Sequence, residues 1–166
     1  MDEASTHSDS VVLSRSFDLW VEIGAPRDEV FEALTDGARL REWWTDEADV
    51  EGRIEGRVRY VWNQGGSAVV AEAVVVEWQR PERFAVKWRS ANGQEIEEDG
   101  DNMRGARWPV VQTYRLSSPS PGVTRLHLHD TGVSPDPAYD EVYAATREGW
   151  VQSLSRLKSY CEAAGG

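Results

Sequence analysis

The sequence predicts an α+β domain: a curved antiparallel sheet of six to seven strands closed over one long C-terminal helix, with two short helices after the first strand. Three observations predict it. Residues Asp136 to Ala164 carry apolar side chains at three- and four-residue steps, the period of an amphipathic helix. Most of the chain upstream alternates apolar and polar residues with a period of two. The alternating runs follow one another through short turns, which makes neighbours antiparallel and segregates the helices to one side.

The C-terminal stretch places Tyr139, Val142, Tyr143, Thr146, Trp150, Ser153, Leu154, Leu157 and Cys161 on one side and Asp140, Glu141, Arg147, Glu148, Gln152, Arg156 and Lys158 on the other. Asp136 suits an N-cap, Pro137 the first helical position, and Gly165 the end. Gly149 inside this helix costs about 1 kcal/mol against alanine, so a close-packed sheet side chain or a cavity is expected beside it.

In chain order, residues 1–10 are polar and acidic and read as a disordered tail, with a single domain over 11–166. Val11 to Ile23 is the first strand, with Phe17, Leu19, Val21 and Ile23 inward. Pro26 opens a short helix that buries Val30, Phe31 and Leu34; Thr35-Asp36-Gly37 breaks it, and a second helix follows with Leu40, Trp43 and Trp44 on one face. Ala48 to Val50 is a short strand. Val58, Tyr60 and Trp62 then alternate with Arg57, Arg59 and Val61 up to an Asn63-Gln64-Gly65-Gly66 hairpin turn. Ser67 to Gln79 is apolar almost throughout, which predicts burial on both faces or a bulge. After Arg80-Pro81-Glu82, Phe84, Val86 and Trp88 alternate with Ala85, Lys87 and Arg89. Ser90 to Trp108 holds an Asn92-Gly93 turn signal and an acidic run, 95–101, read as a solvated loop, with Met103 and Trp108 placed to fold back as a lid. The acidic spacing fails the calcium-loop pattern. Val110 to Ser117 and Val123 to Thr131 are the last strands.

Charge and cysteine usage exclude several classes. The net charge of −11 repels a phosphate backbone and an anionic membrane surface, so neither nucleic acid nor membrane is an expected partner. No apolar run reaches the roughly 18 residues of a membrane span, and the N-terminus has no secretory apolar core. Cys161 is the single cysteine, so an internal disulfide is excluded and a cytoplasmic setting is expected. The eight tryptophans suit a core that leaves room for something, and equally a plain core.

On the last strand, Thr124, Leu126, Leu128 and Asp130 share one face, and Arg125, His127 and His129 the other. With a third ligand the two histidines could bind zinc. They point away from the leucines, so they read as a surface pair, and neither metal nor cofactor is expected. Asp130 falls on the leucine face at the strand end, either as a rim carboxylate or as a polar anchor in an apolar pocket. The sequence holds no specific serine–histidine–aspartate set or phosphate-cradling loop.

Three segments taken together resemble the START-like, or SRPBCC, superfamily, and within it the branch named after the activator of heat-shock protein 90 ATPase. They are IGAPRDEVFEALTDGARLREWW near the start, VVEWQRPERFAVKW in the middle and GWVQSLSRLKSY at the end. The resemblance implies the helix-grip fold, with an apolar cavity between sheet and C-terminal helix. Where many relatives end the last strand in histidine, this chain has Asp130. Inward aromatic positions and the resemblance together predict binding of a small hydrophobic or aromatic ligand, lined by Trp44, Tyr60, Trp62, Trp88, Trp108, Tyr114, Tyr143 and Trp150 and anchored by Asp130. Binding is favoured over catalysis. The alternatives are a cyclase- or dehydratase-type enzyme using Asp130 as acid or base, and a chaperone ATPase cofactor of the stress response acting by surface contact.

Overall fold

The computed structural model describes residues 15–91, 94–95 and 110–165. Strand β1 (Arg15–Ile23) is followed by helices α1 (Arg27–Thr35) and α2 (Gly37–Trp43). Strands β2 (Glu47–Val50), β3 (Arg57–Gln64), β4 (Ser67–Gln79), β5 (Arg83–Ala91), β6 (Gln94–Glu95), β7 (Val111–Ser120) and β8 (Val123–Val133) come next. A 3-10 turn, Pro137–Tyr139, leads into α3 (Asp140–Gly165). The sheet order is β1-β8-β7-β5-β4-β3-β2, with β6 paired to β5, and every pairing is antiparallel. The expected fold class is therefore what forms. The predicted tail, residues 11–14 of the first strand, the Asn92-Gly93 turn and most of the acidic loop lie outside the described residues.

Alternation decides which face is which. Phe17, Leu19 and Ile23 on β1, and Thr124, Leu126, Leu128 and Asp130 on β8, are buried, while Asp18, Trp20 and Glu22 face outward. β1 and β8 pair in a register that sets Leu19 against Leu128 and Val21 against Leu126, so one apolar face runs across both strands. The long apolar strand β4 meets β5 through two bulges, with Arg89 of β5 the extra residue opposite Glu72 and Ala73, and Val76 of β4 the extra residue between Val75 and Glu77. Each adds a residue on one side, bends the strand and lets the sheet curl. The β3–β4 turn uses Gly65 and Gly66 at φ 54° and 88°, the left-handed pair that a two-residue hairpin needs.

The curled face is filled by three helices. On α1, Phe31 is fully buried, edge-on to Trp78 at 5.2 Å and near Phe84 at 6.3 Å. Asp36 caps α2 by accepting from the Arg39 N–H at 3.0 Å, and the Trp43 indole donates to the Ala33 carbonyl, fixing α2 on α1. On α3, Trp150, Leu154, Leu157 and Cys161 are buried. Tyr139, Val142, Tyr143 and Thr146 are only half-buried, so the first turns of the helix sit at the rim of the sheet. The predicted single helix from Asp136 begins as a 3-10 turn, with Asp136 accepting from the Ala138 N–H as its cap.

Two corrections carry predictions. Gly149 was expected beside a crowded side chain or a cavity; it is exposed, and a Cβ there would meet nothing within 4 Å. Its cost is purely conformational, so Gly149→Ala is expected to raise stability by about 1 kcal/mol, read as a higher urea midpoint. The other concerns the helix end, where no partner was foreseen. Glu162 Oε2 accepts from Lys158 Nζ at 2.6 Å and from the Gly24 N–H at 2.8 Å, and Lys158 Nζ also reaches the Glu22 carbonyl. The Lys158 bond first, then the Gly24 amide, holds the Glu162 carboxyl below its ordinary 4.5. A carboxyl depressed in the folded state contributes fully above its unfolded value and loses that contribution as pH falls through the folded value. Glu162→Gln is therefore expected to lower stability at pH 7, with the difference from the native chain narrowing in denaturation curves taken at successively lower pH below 4.5.

Candidate functional site

The inner face carries a chain of aromatic rings. Trp44, at the end of α2, lies 5.0 Å from Tyr60, 5.2 Å from Trp62 and 5.4 Å from Trp150. Tyr60 continues to Trp88 at 5.7 Å, and Trp150 to Tyr114 at 6.2 Å. Six of the nine expected site residues therefore meet in one cluster. Strand alternation supplies Tyr60, Trp62, Trp88 and Tyr114, and the buried stripe of α3 supplies Trp150. Trp44 is held by its indole N–H, which donates to Ser153 Oγ at 3.2 Å. Tyr143 stands apart from these rings: it packs edge-on to Phe17 at 5.8 Å and under the Arg15 guanidinium at 4.7 Å. Trp108 lies outside the described residues.

Asp130 sits where alternation placed it, and it has no exposed surface. Gln112, its ladder partner on β7 and 1% exposed, donates from Nε2 to Asp130 Oδ2 at 2.7 Å and accepts the Trp88 indole N–H at Oε1. Buried polar groups persist when hydrogen-bonded, and this relay ties the carboxylate to the aromatic cluster. Sequence reasoning missed Gln112. The signal was there: Gln112 alternates in phase with Tyr114 and Leu116, so it is a polar residue in the buried phase of a strand. Burial pushes the Tyr60 phenol well above its ordinary range. Tyr114 is raised by burial first, then by the neighbouring Tyr60 and Asp130. Both phenols are protonated at neutral pH.

The rings pack on one another. Two depressions lie elsewhere among the described residues. One, about 930 Å³, is a groove on the outer face of β3, β4 and β5, floored by Val74 and Val76 and flanked by Arg57, Arg59 and Glu72. The other, about 490 Å³, lies among Pro26, Pro81, Pro119 and Pro121. Trp44, Trp62 and Trp88 are only half-buried and form the more exposed edge of the cluster.

His127 and His129 lie on the outer face, as the alternation indicated, and both ring nitrogens meet Asp18 Oδ1 of β1, at 2.7 and 2.8 Å. Among the described residues no group of three or more His, Cys, Asp or Glu side chains is placed to hold a metal ion as it stands. Cys161 is buried and its thiol is pushed up to about 11 by that burial, which keeps it unreactive. No helix among the described residues is long and apolar enough to cross a membrane.

The arrangement matches known folds. Protein MLL2253 from Mesorhizobium loti is 20% identical, with a TM-score of 0.68 over 88% of this chain and 96% of that one. Protein NE0264 from Nitrosomonas europaea is 16% identical, with a TM-score of 0.70 over 90% and 95%. The solution structure of the Aha1 dimer from Colwellia psychrerythraea is 15% identical, with a TM-score of 0.65 over 92% and 99%. At these identities the likeness shows the fold alone. Among curated proteins none matches significantly. Residues 24–162 match the family described as Activator of Hsp90 ATPase homolog 1-like protein, and with that span of helices, sheet and closing helix accounted for, the chain belongs to this START-like family.

Proposed function

We propose that the domain binds a small hydrophobic or aromatic molecule between the inner face of the sheet and the N-terminal half of α3, with Asp130 and Gln112 orienting its polar group. One observation carries this reading: an aspartate with no exposed surface, hydrogen-bonded by an equally buried glutamine, borders a cluster of six aromatic rings. Apolar walls with a few convergent polar groups are the usual make-up of a small-molecule site. The half-buried rings of Trp44, Trp62 and Trp88 supply the adaptable edge.

The test is a thermal-shift and tryptophan-fluorescence screen of apolar and aromatic compounds, run on the native chain and on Asp130→Asn. Compounds that stabilise the native chain and bind the variant more weakly are expected. A library without a stabilising compound, or hits indifferent to the substitution, would overturn the reading.

The buried Asp130 also supports a second reading, a cyclase- or dehydratase-type enzyme in which this carboxyl moves a proton. There Asp130→Asn abolishes turnover while ligand still binds. The family's description raises a third, contact with a chaperone ATPase through the surface, for which co-purification with that chaperone is the sign.

A further inference from the structure

The outer face of β1 and β8 holds a cluster that the inner site does not use. β1 and β8 pair so that Asp18 stands directly opposite His129, with His127 two residues away on the same face. Asp18 Oδ1 is 2.7 Å from His127 Nε2 and 2.8 Å from His129 Nδ1. The three side chains are 39%, 22% and 34% exposed, in that order, so the cluster is open to solvent yet partly walled. Trp20, 63% exposed, stacks on the His127 ring at 4.7 Å with planes 12° apart, which fixes the imidazole's orientation. The two imidazole centroids are 6.4 Å apart.

We propose that Asp18, His127 and His129 form a surface site for a divalent first-row transition-metal ion, binding Cu²⁺ most tightly and Zn²⁺ or Ni²⁺ less so. Two imidazoles and a carboxylate are a donor set these ions favour, and the order follows the general affinity series. Alternate positions on a strand aim both imidazoles the same way without any loop rearrangement. The register of β1 brings the third donor to them.

As placed, the three groups are tied to one another by hydrogen bonds and do not surround an ion. Binding therefore exchanges those two bonds for metal bonds of roughly 2.0–2.2 Å. The Asp18 carboxylate accepts from the facing ring nitrogen of each histidine, so that nitrogen carries a hydrogen as the groups are placed. On binding, the proton on that nitrogen leaves to solvent or to the ring's other nitrogen, and the freed lone pair becomes the metal ligand. Arg115, opposite His127 on β7, and Arg125, on the same face two residues from His127 and paired with Glu22, are cations that oppose a dication here. The chain's net charge of −11 works in the other direction.

The test is calorimetric titration of the full, tag-free chain with Cu²⁺ and with Zn²⁺ at neutral pH. One equivalent is expected for each. Loss of supporting groups around a metal site commonly costs about 10–100-fold in affinity, and loss of two ligands in His127→Ala/His129→Ala is expected to exceed that. Asp18→Asn should weaken binding as well. Copper should quench Trp20 fluorescence, and Trp20→Phe should remove that quench. Electron paramagnetic resonance of the copper-loaded native chain should show two imidazole nitrogens, a readout independent of how the variants fold. No uptake, copper ligated by one nitrogen or none, or a double variant that binds as well as the native chain through the remaining His7 would each overturn the site.

Discussion

Truncating Trp150 to alanine is expected to destabilise the fold by about 3–5 kcal/mol, the range for deleting a buried tryptophan side chain. Trp150 is 9% exposed and is the ring through which α3 touches both ends of the cluster, Trp44 on the α2 side and Tyr114 on the β7 side. Its removal takes away the helix's ring contacts with Trp44 and Tyr114 and leaves a hole lined by aromatic faces. Urea denaturation measures the loss. The same hole supplies a second readout: a small apolar guest such as indole should restore part of the stability in a saturable way, since anything that binds only the folded state stabilises it. A loss below about 1 kcal/mol would mean that α3 is held by its lower half alone, by Leu154, Leu157 and Cys161.

Gln112→Leu is expected to cost about 2.5–6 kcal/mol. The glutamine donates to a buried carboxylate, a bond worth about 1.5–3 kcal/mol, and its loss also strands the Trp88 indole N–H, a further 1–3 kcal/mol if no water replaces it. The comparison that isolates the relay is a double-mutant cycle with Asp130→Leu. Removing one partner takes a hydrogen bond from the buried polar group that remains, whereas removing both leaves a leucine pair of similar shape, so the double variant should be less damaged than the sum of the singles. Additive losses would show that Gln112 and Asp130 act independently.

The sheet's two faces were legible because the alternation of β1, β3, β5 and β8 is nearly unbroken, and the pleat converts it directly into inside and outside. That is why Asp130 and the aromatic cluster were foreseen. The bulges of β4 were legible only as a choice between two explanations, since a continuous apolar run looks alike whether it is doubly buried or bulged. What pairs with what was not legible. β1 meets β8 across more than a hundred residues of sequence, so the meeting of Asp18 with His127 and His129 has no local signal. Gly149 misled for a related reason. A glycine inside a helix reports a lost side chain and says nothing about which face lost it; here it is the solvent face. Gln112 was legible in principle, as a polar residue in the buried phase, but its role needs both Trp88 from β5 and Asp130 from β8 to be seen beside it.

The central claim is that the inner aromatic cluster with its Asp130–Gln112 anchor is where a guest is received. It is tested most directly by two-dimensional nuclear magnetic resonance of the indole N–H groups during titration with a compound that raises the melting temperature. The account predicts that the signals of Trp44, Trp62, Trp88 and Trp150 move together while that of Trp20, on the opposite face, stays where it is. Movement confined to Trp20, or a stabilising compound that leaves the four inner indoles unshifted, would contradict it.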